Sequence, residues 1–292
     1  MKIRGLYTAI VTPFKRDGGL DEEGLRRNIE FQIENKVEGV VPVGTTGESA
    51  TLSGVEHRKV VEIAVDQVNG RASVFAGTGS NNTSEAIRYT KHAYDAGADA
   101  ALMITPYYNK PTEEGVYQHY RKVADEVDIP IILYTVPGRT MVNIEPETTK
   151  NLSEIQNIVG IKDASGNLDQ VSKEIMLCGE DFTILSGEDS LNLPVITLGG
   201  KGAISVASNI VPREMGELVR SALDGDLKRA RELHYRLYPL CKILFIETNP
   251  APVKAAMDMR GLAAGDPRLP LVHVRKESEE KIRDVLGKLG LI

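Results

Sequence analysis

Lys162 is the residue of this sequence with the clearest chemical potential, because it ends the apolar run 158–161 and precedes a polar loop. Side chains alternate between the faces of a strand, so we expect Lys162 to share one face with Gly160, and Val159 to share the other with Ile161. The glycine would leave space for the lysine, and burial would favour its neutral amine. A neutral amine can attack a carbonyl carbon and form an imine. A rim lysine extending into water is more common, so other segments must support this interpretation.

A second candidate is the loop GTTGES at residues 44–49. Its two glycines let the backbone approach a ligand closely. The hydroxyls of Thr45 and Thr46, together with exposed amides, offer donors to an anion such as a carboxylate. Ser49 and Ser53 are equally compatible with capping the next helix. For the adjacent threonines we favour ligand binding.

Two further polar side chains lie in the segment ILYTVPGRT, residues 132–140. The phenol of Tyr134 could donate and accept protons near a forming imine, and Arg139 could hold a carboxylate through paired hydrogen bonds. A packed tyrosine and a surface arginine explain the same residues equally well. Tyr107 and Tyr108 follow another apolar run, where they could contact a second subunit or cover the rim of their own domain.

Eight short apolar segments alternate with helical patterns, which predicts the strands of a closed (β/α)₈ barrel. Helical spacing of Leu25, Ile29 and Ile33 predicts a helix that Asp21 could cap. Active residues of such barrels lie in the loops that follow the strands, so the candidates above should converge on one face. The strand segments are 6–13, 39–43, 73–76, 100–105, 131–134, 158–162, 182–185 and 203–206.

The strand pattern stops at Pro212, and helical periodicity follows. We therefore predict a catalytic barrel domain at residues 1–224 and a C-terminal helical domain at residues 225–292, which could serve assembly. Pro239 lies inside this helical pattern and predicts a kink or a break.

The amino-acid composition argues against several classes of function. The chain has 292 residues, of which 41% are hydrophobic, and its 41 acidic and 35 basic residues are interspersed. No basic stripe indicates nucleic acid, so we expect a small-molecule partner. Cys178 and Cys241 lie far apart without a CxxC pair, which fits a reducing cytoplasm. The sequence contains no run of eighteen apolar residues, so we expect no membrane span. The five histidines show no metal-ligand spacing, and no GxSxG, Walker or GxGxxG motif occurs.

The motifs GTTGES, YYN, ILYTVPGRT and GIKDASG occur in this order, followed by LSGEDS, GGKGAISV and NPAPVK. Together they resemble the dihydrodipicolinate synthase family of the pyruvate-dependent lyase and aldolase superfamily, over essentially the whole chain. The resemblance implies a (β/α)₈ barrel with a C-terminal helical appendage, a cytoplasmic homotetramer built as a dimer of dimers, and no metal or organic cofactor. It also implies a class I aldolase-like lyase that condenses pyruvate with L-aspartate 4-semialdehyde to 4-hydroxy-tetrahydrodipicolinate, for lysine and diaminopimelate biosynthesis.

The resemblance also implies roles for single residues. Lys162 would form the Schiff base with pyruvate. Tyr134, Thr45 and Tyr108 would form a hydroxyl relay for protons, with Tyr108 reaching in from a neighbouring subunit. The remaining residues would bind substrate: Thr46 the pyruvate carboxylate, Arg139 the carboxylate of the semialdehyde, and Gly187 and Ile204 through their backbone.

An allosteric lysine pocket of some members would map to Ser49, Ala50, Gly54, His57, Asn81, Glu85 and Tyr107. Gly54 lacks the imidazole found there in feedback-sensitive forms, so the resemblance does not imply sensitivity to lysine. Two more positions depart from the family pattern: Thr135 replaces a frequent Asn, and Gly138 a frequent Ser.

Two other functions fit the same residues. A 2-keto-3-deoxy sugar acid aldolase or a sialic-acid-type lyase would use the same lysine imine. Arg139 and the second threonine argue against these, because a sugar-acid pocket would present groups that bind hydroxyls. The other alternative is a catalytically silent barrel that binds a small anion or serves as an assembly scaffold. Binding alone gives no reason for an amine, a phenol and two hydroxyls to share one rim.

Overall fold

Eight parallel strands pair in sequence order and close into a barrel in the computed structural model, which describes residues 3–292. The predicted (β/α)₈ barrel and all eight strand segments are confirmed. The first strand is shorter than predicted: it ends at Ala9, which pairs with Val41, the last residue of β2. The strands are β1 Gly5–Ala9, β2 Gly39–Val41, β3 Ser73–Gly77, β4 Ala100–Ile104, β5 Ile131–Thr135, β6 Ile158–Asp163, β7 Thr183–Ser186 and β8 Gly202–Ser205.

Helices cover the outside of the barrel, as parallel strands require. Asp21 caps α1 as predicted, since its side chain accepts from the amide of Gly24. Ser53 caps α2 in a capping box with Glu56, so its capping interpretation is the correct one. The helices are α1 Glu22–Glu34, α2 Gly54–Val68, α3 Thr83–Ala96, α4 Glu113–Glu126, α5 Pro137–Thr140, α6 Pro146–Ser153, α7 Leu168–Cys178, α8 Asn192–Leu198, α9 Pro212–Leu223, α10 Leu227–Ile243, α11 Ala251–Met259 and α12 Lys276–Lys288.

The barrel interior is a packed core. Tyr7 stacks on Phe75 with ring centroids 4.3 Å apart, and Ile132, Leu185 and Ile204 belong to the same buried cluster. Because these side chains fill the lower barrel, a ligand can enter only at the carboxyl ends of the strands.

Strand β6 departs from the predicted alternation. Gly160 and Lys162 pair with Ile132 and Tyr134, as expected for one face, but the pairing register with β5 shifts between Ile131 and Ile132. Val159 consequently packs against the interior cluster, whereas Ile161 packs in the layer between strands and helices. The prediction that Val159 and Ile161 share a face was therefore wrong, because a local irregularity breaks the two-residue period.

The C-terminal helices pack on the barrel through one continuous apolar cluster. It joins Leu6 of β1 and Ala203 of β8 to Met215 of α9, Leu233 of α10 and Ile282 of α12. Helix α10 continues without a break through Pro239. The division at residues 224 and 225 stays a prediction. Within residues 3–292, no helix combines the length and apolarity that a membrane span needs.

Candidate active site

A cavity of about 180 Å³ lies at the carboxyl ends of the strands. This volume suits a small ligand, since pockets for drug-sized molecules are larger. The loops after β2, β5, β6 and β7 each contribute to its wall. The predicted residues that line it are Thr45, Thr46, Tyr134, Arg139, Lys162 and Gly187.

Lys162 is buried beside Tyr134, with only 6% of the lysine exposed. The two residues are paired neighbours on β6 and β5, and the Lys162 Nζ lies 4.1 Å from the centroid of the Tyr134 ring. The aromatic ring of Tyr134 therefore lies next to the amine, and little of the lysine side chain is open to water.

The space for the lysine comes from Gly187 and not from Gly160. A Cβ on Gly187 would lie 2.9 Å from the Cε of Lys162, whereas a Cβ on Gly160 would meet the carbonyl oxygen of Thr183 at 2.5 Å. The amide of Gly187 also donates to the carbonyl oxygen of Asp163 at 2.6 Å. The prediction that Gly160 leaves room for Lys162 was wrong, because the missing side chain of Gly160 points at strand β7.

The predicted anion-binding groups lie on one side of the cavity. Thr46 is buried, and its Oγ1 accepts a hydrogen bond from Asn249 Nδ2 at 3.0 Å. The Nη2 of Arg139 donates to the carbonyl oxygen of Asn249 at 3.3 Å. No role was predicted for Asn249, although it belongs to the motif NPAPVK. Glu188 and Phe245 also line the cavity without having been predicted.

Two predicted residues lie outside this cavity wall. Ile204 is in the packed barrel interior, 1% exposed, where β8 pairs with β1. Tyr108 is 90% exposed and has a positive φ of 72° in the loop after β4. A single chain therefore does not bring the Tyr108 phenol to Lys162.

A larger cavity of about 480 Å³ adjoins the first and shares Thr45, Tyr134 and Arg139 with it. Among the residues predicted for an allosteric pocket, Gly54 and Asn81 do not line it. The imidazole of His57 stacks on Tyr89, with centroids 4.0 Å apart, and its Nε2 lies 2.9 Å from the carbonyl oxygen of Gly77. Burial lowers the pKa of His57 to about 4, so the ring is neutral at pH 7. The predicted residues that do line this cavity are Ser49, Ala50, His57, Glu85 and Tyr107.

Thr135, one of the two departures from the family pattern, points away from the cavity. Its Oγ1 donates to Asn143 Oδ1 at 2.9 Å and accepts from the amide of Ile144 at 3.2 Å. The Thr135 hydroxyl therefore stabilises the loop between α5 and α6. The other departure, Gly138, is exposed, and a Cβ there would meet no atom within 4 Å.

A buried acidic pair lies behind the lysine strand. Asp163 accepts from Gln170 Nε2 at 2.8 Å, and Glu174 is fully buried on the same helix as Gln170. Burial raises the pKa of Asp163. Burial, and then the charge of Asp163, raise the pKa of Glu174 to about 9. Glu174 is consequently protonated at pH 7 and neutral inside the core.

The proton that Glu174 keeps in the folded protein makes the free energy of unfolding depend on pH. Above the ordinary Glu pKa of 4.5, an unfolded chain releases the proton that folded Glu174 keeps until about pH 9. The free energy of unfolding should therefore fall as the pH rises through that range, by at most about 1.4 kcal/mol per pH unit. We expect thermal denaturation between pH 5 and 9 to show a smaller loss of stability in Glu174→Gln than in the wild type. Parallel pH profiles for the two proteins would contradict this, and the exposed Glu114→Gln serves as the control.

Comparisons with known proteins identify the family of this chain. The sequence profile of the Dihydrodipicolinate synthetase family matches residues 2–289. The 4-hydroxy-tetrahydrodipicolinate synthase of Methanothrix thermoacetophila is 58% identical over 98% of this chain and 97% of that protein, and the one of Syntrophus aciditrophicus is 55% identical over 99% of both. The crystal structure of dihydrodipicolinate synthase from Aquifex aeolicus superposes with a TM-score of 0.97 at 51% identity, covering 99% of both chains. The chain therefore belongs to the dihydrodipicolinate synthetase family.

Proposed function

We propose that the protein is a lyase that condenses pyruvate with L-aspartate 4-semialdehyde to form 4-hydroxy-tetrahydrodipicolinate, in lysine and diaminopimelate biosynthesis. The observation that carries this function is the buried amine of Lys162 in a small cavity with a phenol, two threonines and a guanidinium. Relatives at 51–58% identity over nearly the whole chain bear the name of this activity.

The reaction starts with attack of the neutral Lys162 Nζ on the keto carbon of pyruvate. Loss of water gives the imine, and loss of a methyl proton gives an enamine. The enamine carbon attacks the aldehyde carbon of the second substrate and forms the new carbon–carbon bond. The amino group of that substrate then attacks the imine carbon, which closes the ring and releases the Lys162 amine. One water molecule leaves overall.

Tyr134 is the group placed to move protons. Its ring lies beside the Lys162 Nζ, and its side chain lines both cavities. A phenol there can protonate the departing hydroxyl when the imine forms and take up a proton later. Thr45 lines both cavities too and can pass protons between Tyr134 and bulk water.

The charges of the substrates match the polar groups of the wall. Each substrate carries a carboxylate, and we assign that of pyruvate to Thr46 and nearby amides. The carboxylate of the semialdehyde is assigned to Arg139, whose guanidinium can form paired hydrogen bonds with it. Gly187 completes the wall of the proposed pocket.

The space that Gly187 leaves for Lys162 yields a test. The Cβ of an alanine at position 187 would lie 2.9 Å from Lys162 Cε and 2.7 Å from Ala164 Cβ, which is closer than van der Waals contact. We expect Gly187→Ala to lower kcat/KM for pyruvate by about 10- to 100-fold, because small displacements of a reacting group cost rates of this size. Gly138→Ala is the matched control, since its new methyl meets no atom. Equal steady-state kinetics for the two variants would show that Gly187 does not set the place of the lysine.

We also propose that the active form is an oligomer, a homotetramer built as a dimer of dimers. The high exposure of Tyr108 supports this, because its side chain lines neither cavity of its own chain and is open to contact with a neighbouring subunit. A monomer should then be impaired. Both cysteines are free, which fits the cytoplasm that we propose as its location. Analytical ultracentrifugation at assay concentrations tests the assembly.

The function is tested by coupling turnover to the disappearance of L-aspartate 4-semialdehyde in the presence of pyruvate. We expect consumption of both substrates in equal amounts. The alternative, an aldolase for 2-keto-3-deoxy sugar acids or sialic acids, predicts turnover with sugar aldehydes instead. Activity with a sugar aldehyde and none with the semialdehyde would overturn the proposal.

A further inference from the structure

Asn249 joins the C-terminal part of the chain to the site. It is 3% exposed, it precedes helix α11, and it lines both cavities. Its Nδ2 donates to the Oγ1 of Thr46, a residue 203 positions earlier in the chain. A hydroxyl oxygen that accepts an N–H bond keeps its own hydrogen for another acceptor. The amide of Asn249 therefore leaves the Thr46 hydroxyl as a donor.

Asn249 also contacts the second group that we assign to a carboxylate. Its carbonyl oxygen accepts from the guanidinium of Arg139 at 3.3 Å. One residue thus holds both Thr46 and Arg139. Its Oδ1 is buried and has no hydrogen-bond partner within residues 3–292, which is the expected state of an acceptor that a ligand or water satisfies.

A buried ion pair fixes this segment to the loop that carries the threonines. The Nζ of Lys254 on α11 lies 2.5 Å from Glu48 Oε1, and both side chains are 1% exposed. The backbone amide of Arg268 donates to the other carboxylate oxygen of Glu48 at 2.9 Å. The ammonium of Lys254 also lies 4.2 Å from the centroid of the Phe14 ring. Separating the two buried charges would be costly, so loop 44–49 and the start of α11 keep one relative placement.

We propose that Asn249 is a positioning residue that directs the Thr46 hydroxyl, as a hydrogen-bond donor, toward the carboxylate of the bound keto acid, and that the Glu48–Lys254 ion pair holds the two segments at the distance this requires. The inference rests on the proposed function only in taking the ligand to be pyruvate. It makes the C-terminal helical part a component of the substrate site.

The polarity of the hydrogen bond separates this role from a purely structural one. Aspartate has nearly the shape of asparagine, but its carboxylate only accepts hydrogen bonds. Asp at this position would take the proton of the Thr46 hydroxyl in a hydrogen bond and place a negative charge beside the pyruvate carboxylate. Alanine would only remove the amide. We therefore expect Asn249→Asp, although it is the closer isostere, to be more damaging than Asn249→Ala.

The experiment measures KM for pyruvate, kcat, and the pyruvate dependence of borohydride inactivation. We expect Asn249→Asp to raise KM for pyruvate by about 30-fold or more, with a smaller change in kcat, and Asn249→Ala to raise it by about 5- to 10-fold. The same order should appear in the inactivation assay, which needs pyruvate alone. A wild-type KM in Asn249→Asp, or a smaller effect than that of Asn249→Ala, would overturn the proposal.

A double-mutant cycle keeps the test decisive if the aspartate variant does not fold. If Asn249 acts through Thr46, Asn249→Ala should change KM for pyruvate by less than about twofold in a Thr46→Val background. Full additivity would contradict the proposed role. Because inactivation requires no aldehyde, a wild type that binds pyruvate without consuming the semialdehyde would overturn only the proposed function.

Discussion

Lys162→Ala is expected to lose on the order of 10⁴-fold in kcat/KM, because it removes the nucleophile that carries the substrate through every covalent step. The variant should keep its fold, since the side chain that is removed borders the cavity and is not part of the packed barrel interior. Steady-state kinetics and circular dichroism of the same preparation measure the two expectations.

Two comparisons make the Lys162 result specific. Lys162→Arg keeps the positive charge but supplies no amine that forms an imine, so we expect the same loss of activity. Lys173→Ala removes an exposed lysine from α7 and should leave the kinetics unchanged. If Lys162→Ala retained more than about a tenth of the activity, covalent catalysis by this residue would be ruled out.

Tyr134→Phe is expected to lower kcat by about 10²- to 10³-fold, the range for loss of a general acid–base group. The phenyl ring should still fill the space beside Lys162, where the tyrosine ring now lies 4.1 Å from Nζ. The loss would therefore reflect the hydroxyl and not the packing. Thr45→Val should reduce kcat in the same direction if it belongs to the same proton relay.

Tyr120→Phe provides the matched control for Tyr134. Tyr120 is fully buried on α4, and its hydroxyl donates to the carbonyl oxygen of Met103 at 2.9 Å. Removal of this hydroxyl should cost about 1 kcal/mol of stability and leave kcat within twofold. Near wild-type kcat in Tyr134→Phe would show that another group moves the protons.

The sequence predicts the convergence of the site because the barrel rule places residues after strands on one face. Lys162, Tyr134 and Thr45 follow or end different strands, and the structure brings them to one cavity. Helical capping by Asp21 was equally predictable, since it depends only on residues within one turn. These features are local, or they follow from topology alone.

Features that depend on exact three-dimensional packing could not be predicted. The register shift between β5 and β6 moved Val159 to the interior, and the space for Lys162 came from Gly187, just after strand β7. The contact of Asn249 with Thr46 joins residues 203 positions apart, and nothing in either local sequence indicates it. The role proposed for Tyr108 requires a second chain, which one sequence does not describe.

The proposed function depends on an imine between the Lys162 amine and pyruvate. The most direct measurement is borohydride reduction in the presence of pyruvate, followed by mass spectrometry of the intact protein and of its peptides. We expect inactivation and one reduced pyruvyl group per chain, located on Lys162. An unmodified Lys162 under conditions of full turnover, or an adduct on another lysine, would contradict it.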